Sequence, residues 1–323
     1  MTAPIHVESE FAPLRTVVLT QSEVALSETM LQSPDAAFLP EQSGVRLPVG
    51  EDFRLVDPEG QAAWERERDA FRAVLERHGV EVLRPRLLTD AEKAAGGSDG
   101  YANFFVRDPF FTIGNNVIEG SLRFLHRRRE VLPVRDVMRE RVLPADCAYV
   151  AVPMPELAAK DDPTLGAGPF LEGGDVVVLG RHVFVGSSGL ASNAAGAAWL
   201  AKLLRPQGYR VELARLHPKI LHLDCALSLV RDGLMVVCPE AFLDGIPEIL
   251  AGWDHVPVSL DDASQLATNG LPINPDVYVT DPAFRVIGDE LARRGVEVEY
   301  VDYRISRSFG GAFRCSTQPL RRE

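Results

Sequence analysis

Cys315 has the surroundings of a reactive thiol. It follows the pair Gly310-Gly311, and Arg314 stands directly before it. A glycine pair lets the backbone pass close to a ligand, and a neighbouring arginine favours the thiolate, which is the reactive form of cysteine. A free cysteine is more often a small buried hydrophobe, so Cys315 alone is only a candidate nucleophile. The other cysteines lie in apolar, strand-like segments and are interpreted as core residues: Cys147, Cys225 and Cys238.

Acidic and imidazole side chains stand beside short apolar runs upstream of this cysteine. They are Asp108, the turn Glu172-Gly173-Gly174-Asp175 and the group His222-Leu223-Asp224. Carboxylates bind a planar cation in a bidentate fork, and guanidinium is the biological cation of that shape. Once its charge is held, its central carbon can be attacked by a thiolate while a histidine donates a proton to the departing amine and then activates water. These residue types therefore indicate chemistry at a guanidinium carbon.

The apolar runs follow a repeated pattern. Turn dipeptides divide β-rich runs at Gly114-Asn115, Gly180-Arg181 and Asp232-Gly233, which predicts three hairpins, and weaker copies begin at Leu14 and Asn274. Apolar residues three and four apart predict helices over 62–78, 193–204 and 282–295, and glycines end two of these before a further short strand. The repeated unit is thus strand, strand, helix, strand.

About five such units fit into 323 residues. A lone unit cannot bury its apolar face, so the pattern predicts one α/β domain over residues 1–323, built as a closed ring of blades. The candidate side chains stand at or just before the first strand of a blade. A ring would direct them into one central cavity.

Composition is that of a compact enzyme with a small-molecule partner. The net charge is −12, which disfavours nucleic acid, and no apolar run approaches the roughly eighteen residues needed to span a bilayer. The first residues have neither a basic start nor an apolar stretch, and four cysteines suit a reducing compartment, so we expect a cytoplasmic protein. Self-association is left open.

Neither a metal nor a cofactor is expected. His217 and His222 are five residues apart, which does not match a helical zinc pair, and the glycine pairs lack the spacing of nucleotide-binding loops. Asn269 borders a predicted axis-facing strand and is a candidate substrate contact, with turn formation as an equal alternative. The segment 33–58 is rich in proline, glycine and acidic residues and predicts a long loop of the kind that often forms a lid.

At this point the chain resembles the guanidino-modifying enzymes, namely the arginine deiminases, dimethylarginine hydrolases and amidinotransferases. The motifs that carry the resemblance occur in order from about residue 103 to the C-terminus: Arg107-Asp108-Pro109, Glu172-Gly173-Gly174-Asp175, His222-Leu223-Asp224 and Gly310-Gly311 before Cys315. The resemblance implies a five-bladed α/β propeller, the pentein fold, with the site on its axis.

The same resemblance implies a role for each matching residue. Cys315 looks like the nucleophile, His222 like the general acid and base, and Glu172 like the residue that orients or polarises His222. Asp108 and Asp224 would clamp the guanidinium. The remaining matches are a turn-bracing residue, Asp175, and a deiminase arginine for substrate binding, Arg127.

Two branches of the family remain open. The Glu172-Gly173-Gly174-Asp175 turn resembles the deiminases and favours a thiol-dependent hydrolase that forms a covalent amidino-thioether on cysteine. Segments 114–119, 198–200 and 313–317 resemble the amidinotransferases, which move the amidino group from arginine to an amine, and this is the alternative; a non-catalytic binding propeller is the weaker one. Segment 187–193 lacks the arginine that deiminases keep for the substrate carboxylate, so a guanidino compound other than free arginine is favoured.

Overall fold

The chain folds into several small sheets, as seen in a computed structural model that describes residues 4–28, 48–157 and 165–323. Five sheets have three strands each and follow one plan, in which an antiparallel pair is extended by a parallel third strand. The antiparallel pairs are Leu14–Leu19 with Thr317–Arg322, Phe110–Ile113 with Asn116–Glu119, Val176–Leu179 with His182–Ser187, Leu227–Arg231 with Leu234–Val237, and Leu271–Asn274 with Val277–Thr280. The parallel third strands are Glu81–Leu83, Ala148–Ala151, Arg210–Arg215, Asp254–Pro257 and Glu297–Tyr300.

The three hairpins predicted from turn dipeptides are confirmed. Gly114 and Gly180 have φ of 55° and 56°, and Gly233 has φ of 76°. This left-handed region is open to glycine at little cost, which explains why each hairpin turns where it does. The weaker copy at Asn274 is also a hairpin, between Leu271–Asn274 and Val277–Thr280.

The copy that begins at Leu14 is built differently from a hairpin. Leu14–Leu19 pairs with the C-terminal strand Thr317–Arg322 and takes Glu81–Leu83 as its parallel neighbour. One sheet therefore contains both ends of the chain. A separate two-stranded sheet joins Glu23–Leu26 to Gly100–Asn103.

An α-helix connects the second and third strands in four of the five three-stranded sheets, whereas the connection from Leu234–Val237 to Asp254–Pro257 contains only 3-10 turns. The α-helices are Phe53–Val56, Pro58–Arg77, Asp90–Gly96, Arg135–Val137, Ala194–Leu204, Leu260–Ser264, Arg285–Arg293 and Arg304–Ser308, and a π-helical turn covers Met138–Val142. The three predicted helices are confirmed, with Asn193 capping Ala194–Leu204 through its side chain and Asp57 capping Pro58–Arg77. The strand, strand, helix, strand unit is thus present in four of these five sheets.

The mixed α/β plan agrees with the predicted fold class, whereas the closed ring stays a prediction, because none of the sheets in the described ranges closes on itself. The predicted lid at 33–58 lies outside the described residues except for 48–58, which contain the short helix Phe53–Val56. No helix within the described ranges is long and apolar enough to cross a membrane.

Candidate active site

Cys315 lies in a tight turn between the helix Arg304–Ser308 and the C-terminal strand. Its side chain is buried, and its Sγ donates to Oδ2 of Asp224 at 3.5 Å. Gly310 has φ of 88°, and a Cβ on Gly311 would lie 2.5 Å from the ring of Phe105 and 2.8 Å from Cβ of Cys315. The glycine pair is therefore required by turn geometry and by close packing around the thiol.

Asn269 holds the turn that carries Cys315 through side-chain hydrogen bonds. Its Oδ1 accepts hydrogen bonds from the amides of Ala312 at 3.1 Å and Cys315 at 3.2 Å, and its Nδ2 donates to the backbone carbonyl of Asp224 at 3.3 Å. The side chain is fully buried. Asn269 thus connects the nucleophile turn to the Asp224 segment, so its contacts fit the turn-forming alternative.

His222 lies between two carboxylates. Its Nε2 is 2.9 Å from Oε2 of Glu172, and its Nδ1 is 3.8 Å from Oδ1 of Asp108. Burial alone would lower the pKa of His222, but Asp108, Asp175 and Glu172 outweigh it and raise the pKa well above the ordinary value. The imidazole is therefore protonated at neutral pH and can act as a proton donor.

The glycines of the 172–175 turn allow this approach. A Cβ on Gly174 would lie 2.7 Å from both Oδ1 of Asp108 and Nδ1 of His222, and one on Gly173 would lie 2.0 Å from the carbonyl of Arg107. Without a side chain, the amide of Gly174 donates to Oδ1 of Asp108 at 2.8 Å. The pair is thus needed where backbone, carboxylate and imidazole converge.

Asp175 ties three segments together. Its Oδ1 accepts from the amide of Leu223 at 3.0 Å, and its Oδ2 accepts from the amide of Ser192 at 3.1 Å. Burial raises the pKa of Asp175 to about 7. These bonds hold the residue that follows His222, as expected of a bracing side chain.

Arg127 lies among three carboxylates. Its guanidinium is 2.8 Å from Asp108, 2.7 Å from Glu130 and 3.7 Å from Glu172. Burial opposes its charge, but Glu130 and Asp108 raise its pKa well above the usual range. Its charge is already matched inside the site, whereas the resemblance implied a role in substrate binding.

A second buried ion-pair cluster, not foreseen in the sequence, holds Asp224, the other carboxylate for which the resemblance implies guanidinium binding. Arg314 pairs with Asp224 at 3.0 Å and with Glu10 at 3.0 Å, and its Nη2 also donates to the carbonyl of Val176 at 2.7 Å. Its position directly before Cys315 marked Arg314 as a candidate site residue, but the sequence suggested that it would act on the thiol and not on a carboxylate. The partner Glu10 comes from the other end of the chain.

A narrow cavity reaches four of the predicted site residues described above, whereas Glu172, Asp175, Asp224 and Asn269 do not line it. Its free volume is about 20 Å³, room for about one water molecule. Cys315, His222, Asp108 and Arg127 line one part, and the remaining wall is largely apolar: Leu26, Phe104, Phe105, Phe124, Leu221 and Phe309. Buried His126 also lines it, and burial lowers the pKa of that imidazole to about 3. The structure thus brings the predicted nucleophile, imidazole and Asp108 to one cavity.

Asp108, Glu172 and His222 also present ligand atoms within 4.8 Å of one another, a spacing that could hold a metal ion. In the structure, Nη2 of Arg127 lies 2.8 Å from Asp108, and Nε2 of His222 lies 2.9 Å from Glu172. The same carboxylate spacing suits an organic cation such as guanidinium.

Known proteins share both sequence and fold with this chain. A family model for arginine deiminase matches residues 102–256. Inosamine-phosphate amidinotransferase 1 of Streptomyces glaucescens is 28% identical over 283 residues, which cover 80% of this chain and 80% of that protein. L-arginine:L-lysine amidinotransferase of Pseudomonas savastanoi pv. phaseolicola is 26% identical over 290 residues, covering 80% and 78%. The solved structure of SxtG, an amidinotransferase from Microseira wollei in the saxitoxin biosynthetic pathway, superposes with a TM-score of 0.78 at 23% identity, covering 99% of this chain and 98% of that one.

Proposed function

We propose that this chain, which belongs to the guanidino-group-modifying enzyme superfamily, is a thiol-dependent amidinotransferase. The observation that carries the proposal is the likeness to two amidinotransferases over about four-fifths of both chains. The sequence favoured hydrolysis as the main interpretation, and this likeness supports the alternative better. The five three-stranded sheets would then be the blades of one propeller domain with the site on its axis.

The narrow cavity limits the water that can reach Cys315. An amidino group bound to Cys315 would be lost to hydrolysis if water reached it freely, so a transferase has to limit the water in its site. The free volume of about 20 Å³ beside Cys315 leaves room for about one water molecule, and aromatic side chains form much of the wall. Entry of a donor guanidine requires these side chains to move apart.

The first half of the reaction would proceed as follows. Asp108 and Asp224 hold the donor guanidinium, and Cys315 enters the reaction as the thiolate, the form in which the second half releases it; its Sγ, 3.5 Å from Oδ2 of Asp224, attacks the central carbon. A carbon–sulfur bond forms, a carbon–nitrogen bond breaks, and protonated His222 supplies the proton to the leaving amine. Glu172, 2.9 Å from Nε2, keeps the imidazole oriented and stabilises its charge.

The second half reverses these steps with a new amine. His222, now neutral, accepts a proton from the acceptor amine as its nitrogen attacks the amidino carbon, and the carbon–sulfur bond breaks to release the thiolate. Asp175 and Asn269 take no part in proton transfer; they hold the turns that carry His222 and Cys315. Arg127 holds Asp108 and Glu172 in place through ion pairs at 2.8 Å and 3.7 Å.

A deiminase-type hydrolase is the second candidate. The arginine deiminase model matches residues 102–256, and the Glu172-Gly173-Gly174-Asp175 turn has the deiminase pattern. The two candidates share the first half of the reaction. They differ in whether an amine or water takes the amidino group.

The deciding experiment supplies guanidino donors in labelled water, with and without a panel of primary amines, and identifies products by mass spectrometry. Transfer predicts a new guanidino compound that requires the amine and carries no labelled oxygen. Hydrolysis predicts a ureido product containing labelled oxygen without any amine. Cys315→Ser serves as the control for both reactions. If neither product forms with any donor, the result would argue against an enzyme of this class.

A further inference from the structure

Two thiols share one carboxylate in the candidate active site. Sγ of Cys315 donates to Oδ2 of Asp224 at 3.5 Å, and Sγ of Cys225 donates to Oδ1 of the same side chain at 3.5 Å. Cys225 ends the 3-10 turn Leu223–Cys225, directly after His222. The packing of the two turns therefore places a second cysteine beside the proposed nucleophile.

The two thiols also influence each other. The Cys315 side chain, together with burial and the charge of Asp224, raises the pKa of the Cys225 thiol well above its usual range. Both cysteines are free and buried. The pair lies between two small cavities, one lined by Cys315 and one by Cys225, with Gly310 and Leu221 common to both.

We propose that Cys225 and Cys315 form a reversible disulfide that blocks the active site when the protein meets a hydroperoxide. This inference does not depend on which guanidino reaction the enzyme performs. It assigns Cys225, which in sequence looks like an ordinary core residue, a role as resolving thiol.

The chemistry balances with a hydroperoxide as the oxidant. The Cys315 thiolate attacks a peroxide oxygen and the oxygen–oxygen bond breaks. Hydroxide departs, and Cys315 becomes a sulfenic acid. The sulfur of Cys225 then attacks the Cys315 sulfur; its proton and the sulfenic hydroxyl depart as water. Two thiols have been oxidised and one hydroperoxide reduced, and a dithiol reductant reverses the change.

Asp224 tolerates the loss of both thiol donors. Its Oδ2 retains the ion pair with Arg314 at 3.0 Å, so disulfide formation leaves no unpaired charge in the core. Cys147 is different, because it belongs to another cluster and its Sγ donates to the carbonyl of Val142 at 3.4 Å. It is partly exposed and therefore provides the matched control for peroxide access.

The test treats the full-length protein with hydrogen peroxide and maps its peptides under non-reducing conditions. The expected product is one intramolecular cross-link between the peptides that contain Cys225 and Cys315, with a mass lower by two hydrogens. Alkylation of the remaining thiols should report two of the four cysteines. Guanidino turnover should fall by about tenfold or more and return with dithiothreitol, because the disulfide removes the nucleophilic thiolate.

Two variants sharpen the result. Cys225→Ser should prevent the cross-link, and peroxide should instead drive Cys315 to the sulfinic acid, which dithiothreitol does not reverse. Cys147→Ser should cross-link as the wild type does. Wild-type protein that accumulates sulfinic acid on Cys315 without a Cys225 cross-link would overturn the proposal. The peptide map needs no turnover, so this outcome is separate from failure of the proposed transfer reaction.

Discussion

Arg314, the residue directly before Cys315, holds the carboxylate of Asp224 at 3.0 Å, and that carboxylate in turn accepts the hydrogen bond of the Cys315 thiol. The second partner of Arg314 is Glu10, also at 3.0 Å. All three charged side chains are buried. The geometry of the proposed nucleophile therefore depends on an ion-pair cluster that joins the two ends of the chain.

Replacing Arg314 should cost stability as well as activity. Arg314→Met leaves two carboxylates buried without their counter-ion, and breaking a buried ion pair costs roughly 3–5 kcal/mol. We expect the free energy of unfolding in urea to fall by about that amount. Arg215→Met is the control, because Arg215 pairs with Asp244 on the surface and should change little. Equal losses in the two variants would contradict a central role for the Arg314 cluster.

The thiol should be indispensable for turnover. Cys315→Ser replaces a thiolate nucleophile by a hydroxyl that does not ionise at neutral pH, so activity should drop below about a hundredth of wild type. Mass spectrometry of quenched wild-type enzyme should show an amidino adduct on Cys315. Cys238→Ser, at another buried thiol, should retain both activity and adduct. Substantial turnover in Cys315→Ser would rule out covalent thiol catalysis.

The hairpins were predictable because their turns are local. Gly114, Gly180 and Gly233 each supply the backbone conformation that their turn needs. A few adjacent residues are therefore enough to predict where the chain reverses direction. The pairing of Leu14–Leu19 with Thr317–Arg322 was not predictable in this way. The two strands lie at opposite ends of the sequence, and only tertiary packing brings them together.

In the candidate active site, too, local motifs were predictable from the sequence and long-range contacts were not. Residue types in motifs were enough to nominate Cys315, His222 and Asp108, which the structure places around one cavity. The counter-ions were missed, because a buried pair such as Arg314 with Glu10 depends on tertiary packing that no local spacing records. Burial of Cys225 was also expected, whereas its sharing of the Asp224 carboxylate with Cys315 arises from the packing of two distant turns.

Asp108 should matter for binding more than for folding. Asp108→Asn removes the charge opposite the donor guanidinium, while Arg127 keeps its ion pair with Glu130 at 2.7 Å. We expect donor binding, measured by calorimetry in the Cys315→Ser background, to weaken by roughly 3–5 kcal/mol, the cost of removing one partner of a buried pair. Asp254→Asn, which removes a surface partner of Arg294, should bind normally. Unchanged binding in Asp108→Asn would make this carboxylate purely structural.

His126 should make the protein sensitive to acid. Burial, with help from Arg127, lowers the pKa of folded His126 to about 3, whereas the unfolded chain has the ordinary value of about 6.5. The unfolded state therefore takes up the proton first, and the stability contributed by neutral His126 is lost as pH falls from about 6.5 towards 3. In His126→Asn, the loss of unfolding free energy between about pH 7 and pH 5 should be smaller by about 2 kcal/mol.

Urea titrations at several pH values would measure this difference. His255→Asn is a suitable control, since His255 is exposed and should leave the acid dependence unchanged. An acid profile of His126→Asn that matches the wild type would show that His126 does not hold its neutral form in the folded protein.

Glu172 should set the pH range over which His222 can donate a proton. Although burial opposes it, Asp108, Asp175 and Glu172 raise the pKa of His222, so its charge stabilises the fold fully below the unfolded pKa of about 6.5, and that stability is lost as pH rises through the higher folded value. Glu172→Gln keeps a hydrogen-bond acceptor 2.9 Å from Nε2 but removes the negative charge. The folded pKa of His222 should then fall, and the alkaline limb of kcat/KM should move to lower pH.

Histidine resonances followed by NMR would measure the pKa of His222 directly, with Glu212→Gln, at a partly exposed strand position, as the control. Because a purely structural role would lower activity equally at every pH, an alkaline limb that stays in place would show that Glu172 does not tune His222.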